Sequence, residues 1–378
     1  MNTRPRARAL GLDDFWRLPP GPWNAITDVA GVQVGQTTVS FGEGELAPGN
    51  GPARTGVTVI LPHDGNLFRD KVAAAAHTIN GYGKACGFEQ VRELGEIETP
   101  IALTNTLNVW RVADALVDHA LAHNPDIGIH TSTVNPVVGE CNDGYLNDIQ
   151  GRHVSAEHVH AALAAAASGP VAEGAVGAGT GTTCYGWKGG IGTASEVLDT
   201  GVTIGAIAAV NAVGSIRDSR AGKVVAAPRD DDGRPLDVDR LLRLGRGRRQ
   251  VEERIHGSAD AEAGPAEETP SNTTLAVVAT SARLTKAQAN RIATVAHDGF
   301  ARSIWPVHTR ADGDVIFALA TGEHEITDDQ YPAIEAMAAR AVERAILNGV
   351  RAAKGLAGVP GLADAKPAGA KARSPRRR

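Results

Sequence analysis

At Ser271-Asn272-Thr273-Thr274-Leu275-Ala276-Val277-Val278-Ala279-Thr280 a long polar stretch gives way to an apolar strand. The preceding residues, 228–272, are turn-rich around Pro228 and Asp230, basic from Arg240 to Arg249, then small, acidic and Pro-containing. That is the composition of a flexible connector. The strand after it has no charge and reads as buried. Other apolar segments are equally small. The chain has 44 Gly and only 4% aromatic residues, which suits close-packed layers better than a bulky core. Its 378 residues admit two or three domains or one large α/β unit.

Several classes are disfavoured. Net charge is -5, so there is no global nucleic-acid signal. The basic runs lie in the connector and in the last residues, where a solvated linker and tail account for them. Cys86, Cys141 and Cys184 share no metal spacing, and their odd number argues against a disulfide framework. The residues after Met1 contain no apolar signal core, and no apolar run approaches the ~20 residues of a membrane span. A cytoplasmic enzyme without metal or cofactor is expected. Gly177-Ala178-Gly179-Thr180-Gly181 lacks the spacing of a dinucleotide fingerprint, and Lys188 precedes Gly189, not Ser or Thr. The glycines of residues 174–192 are read as letting backbone approach a small active centre.

In chain order, residues 26–35 read as strand, turn and strand, and residues 55–62 as a buried strand. A strand from Ile101 runs into a helix over Val109–His123. Residues 139–148 read as a polar site loop. Ser155 caps an alanine-rich helix to about Ala167. Thr203 to Val213 is a small-residue central strand carrying Asn211. After Thr273 come a strand, a capping box at Thr285 and Gln288 opening a helix, a turn at Ala311-Asp312-Gly313-Asp314, a strand from Val315, and a long amphipathic helix through Ile334, Ala338, Ala341 and Ala345. Residues from about Leu356 read as a disordered tail.

The hydroxyl residue at the connector's end suggests self-processing. Attack of the Thr273 hydroxyl on the Asn272 carbonyl, an N-to-O acyl shift, followed by ester hydrolysis would free Thr273 as a new N-terminus. Its own α-amine could then take the proton from its hydroxyl. Such a nucleophile needs an anion nearby, which Asp312 and Asp314 would supply with side chains pointing the same way. Asn211 is either a core amide or an oxyanion donor. Glu140, by charge, is a candidate for binding a substrate's free amine. His158 and His160 do not share a helix face, so the histidines form no metal pattern.

The blocks Asn24-Ala25-Ile26-Thr27-Asp28-Val29-Ala30-Gly31-Val32, Arg54-Thr55-Gly56-Val57-Thr58, Asp143-Gly144-Tyr145-Leu146-Asn147-Asp148, Lys188-Gly189-Gly190-Ile191-Gly192 and Asn272-Thr273-Thr274 resemble the DmpA-type self-processing aminopeptidases. That family includes L-aminopeptidase/D-esterases, β-peptidyl aminopeptidases and nylon-oligomer hydrolases. The resemblance implies a four-layer α-β-β-α sandwich of the N-terminal-nucleophile-hydrolase kind. It implies cleavage between Asn272 and Thr273 into an α chain (1–272) and a β chain (273–378), and a homo-oligomer, often a tetramer. It makes Thr273 the nucleophile, Asp312 and Asp314 its acidic partners, and Lys188 and Asn211 aids to scission and to the oxyanion. Asn142 stands where a tyrosine is expected in the aminopeptidase members, and as an amide can still donate to an oxyanion. The expected substrate is a small peptide or amino-acid amide or ester, with a linear oligoamide as the alternative.

Overall fold

The structure is a computed structural model and describes residues 18–229, 234–243, 272–310 and 312–364. Its framework is two stacked sheets. In chain order the strands are β1 (Gln33–Phe41), β2 (Ala53–Leu61), β3 (Val72–Thr78), β4 (Ala85–Cys86), β5 (Glu96–Ile97), β6 (Ile101–Asn105), β7 (Val137–Cys141), β8 (Gly190–Val197), β9 (Thr203–Val210), β10 (Leu275–Ala282) and β11 (Val315–His324). One sheet has the order β1-β2-β6-β7-β4 and the other β8-β9-β10-β11-β3-β5. Each contains one parallel pair, β6 with β7 and β10 with β11.

Strand alternation assigns the layers, because successive side chains point to opposite faces. On β10, Leu275, Val277 and Ala279 join Ile60, Ile101, Leu103 and Phe317 in the core between the sheets. Ala276 and Val278 turn outward to the helices α4 (Lys286–Val295), α5 (His297–Ser303) and α6 (Tyr331–Ala352). On the other sheet, after the short α1 (Phe88–Leu94), Ala102 turns outward beneath α2 (Val109–His123) and α3 (Ala156–Ala164). The result is the expected α-β-β-α sandwich.

The small-residue composition has a concrete cause here. A Cβ on Gly192 of β8 would sit 2.0 Å from the Ala345 carbonyl oxygen and 2.1 Å from the Gly349 nitrogen of α6. Only glycine lets the helix lie that close to the sheet. The capping box forms as read: Thr285 Oγ1 accepts from the Gln288 N–H, and Gln288 Oε1 accepts from the Thr285 N–H at 2.9 Å.

Several local expectations are corrected. Ile26–Asp28 is a short 3-10 turn, so residues 26–35 contribute one strand start and not two strands. Residues 139–141 are not loop but the end of buried β7. The strand from Thr203 stops at Val210, leaving Asn211 just beyond it, and the helix after Ser155 stops at Ala164. Residues 356–364 pack on the body, with the Pro360 carbonyl accepting from the Lys188 N–H at 2.9 Å. Residues 365–378 and most of the connector, 230–233 and 244–271, lie outside the described residues. Among those that are described, Val238–Arg243 forms a short helix. No helix of the described residues is long and apolar enough to cross a membrane.

Candidate active site

Thr273 lies two residues before β10, beside the start of β11 in the same sheet, and is 1% exposed. Its neighbours are held by main-chain bonds. The Asn272 carbonyl accepts from the Gly313 N–H at 3.1 Å, and the Thr274 carbonyl from the Val315 N–H at 3.3 Å. The Thr274 N–H donates to Asp314 Oδ1 at 2.8 Å. Gly313 can fill this place because it has no side chain. A Cβ there would lie 2.3 Å from the Gly83 nitrogen and 2.7 Å from Thr273 Oγ1. Gly83 ends the turn after β3, which pairs with β11.

Asp312 and Asp314 both reach this region but take separate partners. Asp314 is buried and binds the Thr274 N–H through one oxygen and His308 Nδ1, at 2.8 Å, through the other. Its own N–H donates to Asn80 Oδ1 at 3.2 Å. Asp312 folds back within its turn and accepts from both the N–H and the hydroxyl of Thr309, each at 2.7 Å. The expected parallel pointing fails because the Asp312 N–H donates to the Thr309 carbonyl, so the chain folds back before Asp312.

The partner of the Thr273 hydroxyl is Glu140, from the other sheet: Thr273 Oγ1 donates to Glu140 Oε1 at 3.3 Å. The same oxygen accepts from the Lys84 N–H at 3.1 Å. Burial raises the pKa of this carboxyl. The charge and N–H of Lys84 and the hydroxyls of Thr106 and Thr273 pull it part of the way back. Glu140 is therefore a stronger base than an exposed glutamate.

Beyond Glu140 the chain turns into a second cluster. Asn211 Nδ2 donates to the Asn142 carbonyl at 2.6 Å, and Asn211 Oδ1 accepts from the Thr183 N–H at 2.9 Å. Asn142 Oδ1 accepts from the Gly144 N–H. Lys188 is fully buried, and its Nζ donates to the Thr182 carbonyl. Asn142, one residue past the end of β7, is thus bound by Asn211, and Lys188 joins them through the adjacent Thr182-Thr183 backbone. Asp143 lies among them, bound by Asn147 Nδ2 at 2.9 Å. Burial pushes its pKa up to about 7, with the Glu140 charge adding to the rise and Thr55 and Asn147 opposing it. Burial also raises the thiol of Cys141, and that of Cys184 to about 12, so neither is a ready thiolate.

His308, Asn80, Gly83 and the Gly313 N–H escape the sequence reading. His308 stands only six residues before Asp314, but nothing in the spacing says that its ring folds back onto that acid. The Gly313 N–H has no sequence signal beyond the glycine itself. Among the described residues no three His, Cys, Asp or Glu side chains converge as a metal site would require.

Residues 24–363 match the model of Peptidase family S58. The chain is similar to the β-peptidyl aminopeptidase BapA of Sphingosinicella microcystinivorans, 35% identical over 94% of this chain and 88% of the relative. Its counterpart from Sphingosinicella xenopeptidilytica is 38% identical over 63% of this chain, a match spanning 62% of that relative's length. A shorter stretch, 33% of this chain and 31% of the relative, is 32% identical to a 6-aminohexanoate-oligomer endohydrolase of Agromyces sp.. Among solved structures, a protein of Pyrococcus horikoshii OT3 superposes with a TM-score of 0.75 at 38% identity, covering 93% of this chain and 92% of that one. The L-aminopeptidase D-Ala-esterase/amidase of Ochrobactrum anthropi, described as a prototype of the serine aminopeptidases and a new variant of the Ntn hydrolase fold, gives a TM-score of 0.72 at 30% identity. It covers 93% of this chain and 91% of its own. With the sandwich, the buried hydroxyl and a family match running almost the length of the described residues, this chain belongs to peptidase family S58.

Proposed function

We propose that the protein is a self-cleaving amide hydrolase that cuts its own Asn272–Thr273 bond and then uses Thr273 as an N-terminal nucleophile. The observation that carries this is the hydrogen bond from the buried Thr273 hydroxyl to Glu140, beside an Asn272 carbonyl already held by the Gly313 N–H.

In the uncut chain the Thr273 nitrogen is an amide and cannot act as base. Glu140 takes the hydroxyl proton while Oγ1 attacks the Asn272 carbonyl carbon. The oxyanion develops on the oxygen facing Gly313 N–H, a donor fixed before reaction. The proton passes to the departing Thr273 nitrogen, and water then hydrolyses the ester. Scission leaves a free amine on Thr273 and a carboxylate on Asn272. In turnover that amine is the base for its own hydroxyl, and Glu140 is released to bind the ammonium of a substrate. The bound substrate acylates Oγ1, its amine leaves, and water completes hydrolysis. Asp314 holds the Thr274 amide and so the angle at which Thr273 enters the site. Asp312 stiffens the turn that carries Gly313. Asn142 and Asn211 brace the wall behind Glu140, with Lys188 supporting their loop. The active form is expected to be a homotetramer.

The leading substrate class is a small peptide, amino-acid amide or ester with a free N-terminal amine. The similarity to β-peptidyl aminopeptidases favours it. Linear oligoamides are the second reading, favoured by Asn272-Thr273-Thr274 and Asp312-Gly313-Asp314, which resemble the nylon-oligomer hydrolases. A panel of α- and β-amino acid p-nitroanilides, free and N-acetylated, run beside aminohexanoate oligomers, tests both. Release from the free-amine α- or β-compounds alone supports an aminopeptidase. Release from aminohexanoate oligomers alone selects the oligoamide reading, and equal rates on free and acetylated compounds would remove the role given to Glu140.

A further inference from the structure

Behind Asp314 stands a column of imidazoles that the proposed mechanism does not use. His308 Nδ1 lies 2.8 Å from Asp314 Oδ2. Its ring is packed against His297, with centroids 5.0 Å apart, and against Phe300 at 5.8 Å. His297 contacts His77 in turn at 5.4 Å, and its Nε2 lies 3.2 Å from the His77 carbonyl.

Two details argue against simple filling. His308 has φ 55, a left-handed backbone that a non-glycine residue adopts only where its surroundings fix it. Its Nε2 is buried with no hydrogen-bond partner among the described residues, a cost that a phenyl ring in the same space would not carry. What the imidazole has and a phenyl lacks is the Nδ1 contact with Asp314. His297 lends no charge, because burial, reinforced by the neighbouring His308, lowers its pKa to about 3 and keeps it neutral.

We propose that His308 is a positioning residue for the reaction at Thr273. It holds the Asp314 carboxylate in the rotamer whose other oxygen grips the Thr274 N–H, so the nucleophile keeps its angle. The inference rests on the reading of Thr273 as nucleophile.

The test uses the full chain carrying His308→Phe or His308→Asn. Phenylalanine keeps ring volume and loses the donor. Asparagine tolerates a left-handed backbone and offers an amide N–H close to where Nδ1 stands. The rate of self-cleavage is measured in freshly made protein, and kcat and KM in the matured fraction on one amide substrate. The expected result is cleavage and kcat at least about tenfold lower in His308→Phe with KM within about twofold, and recovery of most of the loss in His308→Asn. Wild-type rates in His308→Phe, or equal loss in both variants, would overturn the proposal. Should His308→Phe fail to fold, His308→Asn decides alone: a kcat near wild type supports the role, and a drop beyond about tenfold refutes it. Thr273→Ala is run in parallel. If it remains active, the nucleophile reading has failed. If it is dead while His308→Phe is unimpaired, only the role of His308 has failed.

Discussion

The parallel pairs β10/β11 and β6/β7 are the same motif used in opposite senses. The first presents strand starts to the site, and strand starts offer N–H groups. Those of Gly313 and Thr274 are taken up by the Asn272 carbonyl and by Asp314. The second presents strand ends, and with them the acids Glu140 and Asp143, both buried and both pushed up in pKa. One side thus positions the main chain around Thr273, and the other supplies basicity. The acid at the strand start, Asp314, is held by the Thr274 N–H and His308. At the strand ends, burial raises the proton affinity of Glu140 and Asp143 against the donors that each of them meets.

This contrast can be broken from either side. The largest effect is expected on the positioning side. Asp314→Ala leaves the Thr274 N–H and His308 without their acceptor and lets Thr273 shift, and a misplacement near 1 Å costs about 100-fold in rate. Uncut precursor should dominate on a denaturing gel, with kcat of the matured fraction down by about that factor. Full processing at the wild-type rate would mean that the strand starts do not position Thr273.

On the basic side, Glu140→Gln should slow cleavage and raise KM for free-amine substrates about 10-fold, the worth of one charge-assisted hydrogen bond. The sign with pH follows from its raised pKa. As pH falls through that pKa, Glu140 takes up a proton and loses its hold on an ammonium, so wild-type KM rises towards acid while the glutamine variant stays flat. A KM unchanged by the substitution would refute amine binding.

A separate effect concerns stability. The pKa of Asp143 in the fold, about 7, lies above the ordinary 3.8, so the folded protein keeps a proton that the unfolded chain has released. The associated stability is complete below the unfolded pKa and is lost as pH rises to the folded one. Asp143→Asn escapes this loss. Relative to wild type it should gain on the order of 2 kcal/mol between about pH 5 and about pH 8 in urea melts. A difference independent of pH would show Asp143 ionised in the fold.

Elements with local signatures were legible in the sequence. Val109–His123 carries its apolar face at helical spacing, Thr285 and Gln288 announce a helix start, and small apolar runs mark β9 and β10. Residues 26–35 misled because the apolar positions at Ile26 and Val29 serve a 3-10 turn tucked under the sheet and not a strand. Glu140 misled in another way. A charged residue beside a polar run reads as loop, yet Glu140 is the penultimate residue of a buried strand, its carboxylate facing the Thr273 hydroxyl. The bonds of His308 and Gly313 depend on how one turn folds over the start of β10, which no periodicity encodes.

Intact-mass measurement of the purified protein tests the self-cleavage at the heart of this scheme. Two polypeptides are predicted, split between Asn272 and Thr273, the smaller being residues 273–378 with a free Thr273 amine. In Thr273→Ala they should be replaced by one uncut chain without activity. A wild-type protein that hydrolyses amides as a single uncut chain would contradict it.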